Sequence, residues 1–295
     1  MIKHLAIIGV GLIGGSLALA LKKAGLVEQV TGFSRSQAAR EEALALGIID
    51  KAAASLAEAV ADADMVFVAV PMGAMQAVFE QIAPHLKPQT IVTDGGSAKQ
   101  QVIDAARQAL VIKFDHFVPG HPIAGTEKSG PSAAFAELYQ QHRVVLTPVA
   151  ETNKSALEQV RQMWQQAGAD VFEMEVEHHD VVLAATSHLP HVLAFNLVGM
   201  LAQREDCDEV LRYAAGGFRD FSRIASSDAV MWRDICLGNR SAILELLQQY
   251  RSGLDKIEQA IRQDDGDYLI DIFGRAKRAR DTRFADPDLK DNSEV

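Results

Sequence analysis

Leu5-Ala6-Ile7-Ile8 runs without a break into Gly9-Val10-Gly11-Leu12-Ile13-Gly14-Gly15-Ser16, and this junction constrains the fold more than any other part of the chain. Four consecutive apolar residues suit a parallel strand buried on both faces. The glycines that follow let the backbone turn tightly and come close to a pyrophosphate. A helix from about Ser16 to Lys23 then offers its N-terminal amides to the phosphate charge. Gly9, Gly11 and Gly14, with Leu12 and Ile13 between them, are therefore candidate cofactor-binding residues. The uncharged stretch from Leu5 to Leu21 also has the look of a leader or an anchor. Its 17 residues sit at the short limit for a span, glycines and serine interrupt it, and Lys22-Lys23 follow with no clear cleavage site. The nucleotide-binding turn is the better reading.

Strand and helix signals alternate through the first half. Strands are expected at 29–33, 64–70, 90–94, 117–120, 143–147 and 170–174, with helices at 37–46, 75–83, 100–110 and 154–167 between them. Such alternation implies a parallel sheet with helices on both faces, a Rossmann-like α/β domain. Val70 and Pro71 close the third strand and are added to the cofactor-binding set. From about His178 the pattern becomes helical: 180–203 with a kink or restart at Pro190, then 208–215, 229–237, 239–263 and 268–280. The expected organisation is a dinucleotide-binding domain over 1–176, an all-α substrate and dimerisation domain over 177–280, and a frayed polar tail over 281–295.

At 295 residues there is room for two domains, and the formal net charge of -10 argues against nucleic acid as a partner. Apart from residues 5–21, no stretch reads as long and apolar enough to cross a membrane. Cys207 and Cys236 lack metal-ligand spacing and fit free thiols in a reducing, cytoplasmic setting. Apolar faces on so many helices make a homodimer through the helical half the expected assembly.

The nucleotide can be read from the end of the second strand. There an acidic residue about 20 positions past the glycines binds the ribose hydroxyls in NAD enzymes. Here the strand ends Gly32-Phe33-Ser34-Arg35-Ser36, and no acid occurs until Glu41. Ser34 can donate to a 2′-phosphate and Arg35 can pair with it. NADP is favoured, with NAD still open; Arg35 is otherwise a solvated surface residue.

Two loops lie beyond strand ends, where ligands bind in open parallel sheets. One carries Gly120-His121-Pro122-Ile123-Ala124-Gly125-Thr126-Glu127-Lys128, the other Asp94-Gly95-Gly96-Ser97-Ala98-Lys99. His121 is either a general base near neutral pH or a histidine that caps a turn. Ser97 can hydrogen-bond a substrate or orient His121. In the helical half, Ser187-His188-Leu189-Pro190-His191 places two histidines around a helix break, as pocket residues or as satisfied core groups. No third ligand accompanies them, so no metal is expected. His178-His179-Asp180 reads as a helix N-terminus. Gly216-Gly217-Phe218-Arg219-Asp220-Phe221-Ser222-Arg223 reads as a flexible turn. Its two arginines, at helical spacing, either clamp a carboxylate or form a salt-bridged surface. Trp232 reads as a core residue.

In chain order these motifs are Gly-x-Gly-Leu-Ile-Gly-Gly-Ser, Gly-His-Pro-Ile-Ala-Gly-Thr-Glu, Ser-His-Leu-Pro-His, Gly-Gly-Phe-Arg-Asp-Phe-Ser-Arg-Ile-Ala and Met-Trp-Arg-Asp. Over about residues 3–275 the chain strongly resembles the prephenate/arogenate dehydrogenase family of tyrosine biosynthesis. The resemblance implies oxidative decarboxylation of prephenate or arogenate, with hydride transfer to NAD(P), by a homodimer. It implies that His121 accepts the proton of the ring hydroxyl and that Ser97 hydrogen-bonds both that hydroxyl and the histidine. Glu127 is then a gating acid, His191 a pocket residue and Arg223 the ligand of a substrate carboxylate. Arg219 stands where some members have lysine. Two rivals remain at this level. One is a β-hydroxyacid dehydrogenase, which would use a catalytic lysine on a second-domain helix. The other is a nucleotide-sensing regulator without turnover.

Overall fold

The computed structural model describes residues 1–126 and 128–283, so Glu127 and the tail beyond Arg283 lie outside the described residues. The chain divides into two compact units, Met1–Arg240 and Ser241–Val295.

In the first unit the elements are β1 (Ile2–Ile8), α1 (Leu12–Lys23), β2 (Val27–Phe33), α2 (Gln37–Ala45), β3 (Lys51–Ala52), α3 (Leu56–Val60), β4 (Met65–Val68), α4 (Met75–Ile82), β5 (Ile91–Asp94), α5 (Lys99–Leu110), β6 (Phe117–Val118), β7 (Gly120–Pro122), β8 (Arg143–Leu146), α6 (Lys154–Gln166) and β9 (Asp170–Glu173). The helices α7 (Val176–Leu183), α8 (Leu189–Ala202), α9 (Cys207–Arg212), α10 (Gly216–Arg223) and α11 (Ala229–Gly238) follow. The second unit takes in α12 (Arg240–Arg262) from Ser241 onward and α13 (Gly266–Arg283). The sequence reading ended the last helix at 280, whereas α13 continues to Arg283.

Six strands form one parallel sheet in the order β3-β2-β1-β4-β5-β6. Its register matters for function, because Ile8 pairs with both Phe33 and Val68, and Val68 pairs with Asp94. The carboxyl ends of the strands are thus level. The glycine turn, Ser34-Arg35, Val70-Pro71 and Gly95-Gly96-Ser97 all leave the sheet along one edge. Apolar residues fill both faces: Leu5, Ile7, Met65 and Phe67 pack one side and Ala6, Ile8, Val66 and Val68 the other. This near-continuous apolar composition is what a doubly covered parallel strand requires.

Three expectations need correction. The strands at 143–147 and 170–174 do not extend the parallel sheet. Pro119 interrupts the chain after β6, and β7, β8 and β9 form a separate three-stranded sheet in which β7 and β8 are antiparallel. Nor does Pro190 break the helical run. Residues Ala184–His188 form a π-helical turn between α7 and α8, and the wider turn accommodates the proline near the start of α8. The result is a continuous 27-residue helix, Val176–Ala202, long and apolar enough by composition to cross a membrane. This corrects the expectation that no stretch beyond residues 5–21 is long and apolar enough to span. The helix nonetheless buries His179, Asp180 and His188, and Asp180 is hydrogen-bonded to α5.

Candidate active site

The glycine turn has the shape of a phosphate cradle. Gly9 has φ +101°, and a Cβ there would stand 2.2 Å from the Ala69 carbonyl oxygen. At Gly14 a Cβ would meet the Gly9 carbonyl oxygen at 2.1 Å. At Gly11, by contrast, a Cβ would meet no protein atom within 4 Å. Gly11 is the N-cap of α1, no side chain caps the helix, and its first turn holds no acid. Uncapped amides facing open space are the donors a pyrophosphate needs, so the residues present fit a dinucleotide. Tyr139 braces the turn from behind, its hydroxyl donating to the Ile13 carbonyl at 2.5 Å. Burial pushes that phenol well above its ordinary pKa, which keeps it a donor.

At the end of β2, Ser36 caps α2 by accepting from the Ala39 amide at 3.3 Å. Arg40 donates to the Ser34 carbonyl and lies over the Phe33 ring at 5.5 Å. Arg35 is exposed beside it. Arg35 and Arg40 make this corner basic.

The catalytic candidate His121 sits on β7, opposite Val145 of β8, and is buried. A wholly buried ion pair holds its neighbour Gly120. Lys99 Nζ lies 2.5 Å from Asp94 Oδ2 and donates to the carbonyls of Gly96 at 2.9 Å and Gly120 at 2.6 Å. Asp94 in turn accepts from the amides of Gly120 at 3.1 Å and Gly96 at 2.7 Å. All three donors of the ammonium are spent on the protein. Burial lowers the Lys99 pKa, with Asp94 opposing the shift.

The His121 ring is paired through Nδ1 with His179 Nε2 at 2.9 Å. Ser97, the candidate partner of substrate or of His121, lies half-buried in the loop before α5, and the hydrogen-bond partner of His121 Nδ1 is His179. His179 Nδ1 lies 2.8 Å from Asp180 Oδ1. Asp180 also accepts from the first two amides of α5, Lys99 at 2.8 Å and Gln100 at 3.0 Å. Burial drives the His121 imidazole well below its usual pKa, and His179, Lys99 and His188 push the same way.

The cluster continues into the helical half. Asn239 donates to the Asp180 carbonyl at 2.7 Å and lies 3.1 Å from His188 Nδ1. Burial lowers the His188 pKa to about 4. Trp232, on α11, meets His188 edge-on and stacks on His191 with ring centroids 3.7 Å apart. Trp232 is buried in the core, as its sequence suggests, while its ring face packs on the His191 imidazole. His191 Nδ1 is held by the Ser187 carbonyl at 2.9 Å. Burial, and then the nearby Arg223 charge, lower its pKa. Gly216 and Gly217 form the first turn of α10, not a flexible loop. Arg223 ends that helix and is exposed, and Arg219 turns back to donate to the Ala214 carbonyl at 3.2 Å. His121 therefore belongs to a contiguous cluster that runs through His188 and His191 to Arg223. Four buried members, Lys99, His179, Asp180 and Asn239, are not among the site residues that the sequence singles out: Lys99 is legible only as part of its strand-end loop, His179 and Asp180 only as a helix start.

Two family models match the chain. The prephenate dehydrogenase nucleotide-binding domain covers residues 17–173, and the prephenate dehydrogenase dimerization domain covers residues 175–275. A cyclohexadienyl dehydrogenase of Zymomonas mobilis is 41% identical over 290 residues, 98% of each chain. A prephenate dehydrogenase of Bacillus subtilis is 40% identical over 92% of this chain and 74% of its own. Among solved structures, the prephenate dehydrogenase of A. aeolicus in complex with hydroxyphenyl propionate and NAD+ superposes with a TM-score of 0.88 at 33% identity, covering 95% of this chain and 98% of that one. With both halves matched, and relatives above 30% identity matched over 74–98% of their own length, the chain belongs to the prephenate dehydrogenase family.

Proposed function

We propose that the chain is an NAD(P)-dependent prephenate/cyclohexadienyl dehydrogenase, with His121 as the general base and Arg223 as the ligand of a substrate carboxylate. The single observation that carries the assignment of roles is the contiguous cluster from His121 to Arg223, whose Lys99–Asp94 pair lies at the carboxyl end of β5, on the same edge of the sheet as the glycine turn. The bound nicotinamide supplies the hydride acceptor. The protein has to position the carbinol carbon, take one proton and hold two carboxylates. His121 Nε2 takes the hydroxyl proton as the hydride leaves with its electron pair. The ring carboxylate then departs as carbon dioxide, its electrons aromatise the ring, and the proton returns to the phenolate oxygen. Aromatisation supplies the driving force, so proximity and general-base catalysis suffice. Ser97, in the loop before α5, is assigned to the same hydroxyl, and His191 to the pocket wall.

The reading extends to the nucleotide and the assembly. The basic corner of Ser34 and Arg35 favours NADP over NAD, although the A. aeolicus relative holds NAD+. The apolar side chains left exposed on the helices, among them Met200, Leu211 and Phe221 in the first unit and Leu254 and Phe273 in the second, suit burial in a homodimer through the region matched by the dimerization model. Cys207 and Cys236 are both unpaired, which fits a reducing, cytoplasmic setting.

A catalytic lysine of the β-hydroxyacid type finds no candidate in the cluster, because Lys99 is wholly buried and fully bonded. The decisive test follows nicotinamide absorbance with prephenate. Turnover is expected with the wild type, and His121→Asn should lower kcat by about 10²–10⁴-fold. No turnover of prephenate or arogenate by the wild type would leave the sensor reading standing.

A further inference from the structure

We infer that His179 and Asp180 form a relay that fixes the protonation pattern of His121, with His179 as a positioning residue and Asp180 as its buried anchor. This rests on the reading of His121 as the base and adds what makes it one.

The bonding pattern follows from the anchor outward. Asp180 Oδ1 and Oδ2 accept from the Lys99 and Gln100 amides at 2.8 and 3.0 Å. These are the first two amides of α5, where a negative charge is favoured. Burial opposes the charge. The bonds from His179, Gln100 and Lys99 outweigh it and hold the carboxyl below its ordinary range. A carboxylate can only accept, so His179 Nδ1, 2.8 Å away, carries a proton and donates. Burial lowers the His179 pKa despite Asp180, so the ring is neutral and its Nε2 is a bare acceptor. His121 Nδ1, at 2.9 Å, must then be the protonated nitrogen of its own ring. Among the described residues His121 Nε2 has no hydrogen-bond partner, and it is left with its lone pair free.

The charged and titratable groups facing the pair are Lys99 and Asp94, from α5 and β5, and His188 from the π-helical turn. The Lys99 ammonium neighbours the Asp94 carboxylate, and Asn239 holds His188 Nδ1. None of these offers His121 Nδ1 a competing acceptor. Removing His179 would leave the imidazole free to place its proton on either nitrogen and to rotate. A general base held in the wrong tautomer loses most of its rate.

The test combines kinetics with imidazole 15N NMR of the full-length protein. In the wild type, His121 is expected to carry its proton on Nδ1 and to show Nε2 as a bare nitrogen at pH 7.5. His179→Leu should lower kcat about 100-fold, leave KM for prephenate within about twofold, and abolish the single tautomer. His179→Gln, whose amide oxygen can accept from His121 Nδ1, should recover most of the loss. An Nε2-protonated His121 in the wild type overturns the relay whether or not any variant folds. So does a His179→Leu protein with normal kcat. If His121→Asn loses activity while His179→Leu does not, the relay fails and the base stands. If His121→Asn turns over normally, both fail together.

Discussion

The ammonium of Lys99 lies 2.6 Å from the carbonyl oxygen of Gly120, and the carboxylate of its ion-pair partner Asp94 accepts the Gly120 amide. One buried pair thus grips both polar groups of the residue preceding the proposed base. Lys99→Met would leave the Asp94 charge buried with only amide donors. Breaking such a pair typically costs about 3–5 kcal/mol, and urea denaturation should show a loss of that order. The variant should also lose turnover, because among the described residues Lys99 is the side chain that donates to the Gly120 carbonyl.

The glycines of the first turn should separate folding from nucleotide binding. Gly14→Ala forces a Cβ to 2.1 Å from the Gly9 carbonyl and should yield unstable or insoluble protein. Gly11→Ala meets no protein atom within 4 Å, so its melting temperature should stay close to the wild type. Its methyl would instead occupy the space in front of the α1 amides, and KM for the nucleotide should rise at least about tenfold, a loss of about 1.4 kcal/mol. Unchanged nucleotide kinetics in Gly11→Ala would remove the turn from the cofactor site.

Acid should destabilise the protein well above the pH at which its carboxylates titrate. An unfolded histidine takes up a proton near pH 6.5, whereas native His188 does so only at about 4. Between those values the unfolded chain binds more protons, so stability falls as the pH falls. The loss is about 1.4 kcal/mol per pH unit for this side chain alone. Above pH 6.5 the contribution is complete. His121 and His179 are shifted the same way and steepen the decline. Denaturation midpoints at pH 7.5 and pH 5 would measure it.

Arg223→Ala should act on binding rather than on chemistry. A charge-assisted hydrogen bond to a carboxylate is worth about 1.5–3 kcal/mol, so KM for substrate should rise about 10- to 100-fold with a smaller change in kcat. An unchanged KM would mark Arg223 as a surface arginine. Its position at the end of α10, exposed within the single chain, makes this a substantive test.

Much of the dinucleotide-binding half was legible because its signals are local. A strand running into glycines and a helix, repeated apolar runs, and the missing acid after Phe33 are all read within a few residues. What escaped depends on long-range pairing or on compensation. Strand β3 is only two residues long. The antiparallel turn of the chain at Pro119 is set by β8, which arrives some 20 residues later. Pro190 is a helix breaker by local rules, and only the π-helical turn before it lets the helix continue. His121 stood out because its loop is unusual. His179 and Asp180 did not, because an Asp near a helix start already has an ordinary explanation, and nothing local shows that α5 lies against it.

Asp180 does two jobs with one carboxyl group. It accepts from the proton-bearing Nδ1 of His179 at the far end of a histidine chain, and it ties α7 to the first amides of α5, joining the nucleotide-binding half to the helices that follow. The alignment of those two halves and the readiness of the imidazole therefore cannot be tuned separately. A displacement that pulls this carboxylate off the α5 amides would also release the proton pattern at His121, so a misaligned enzyme would be an idle one.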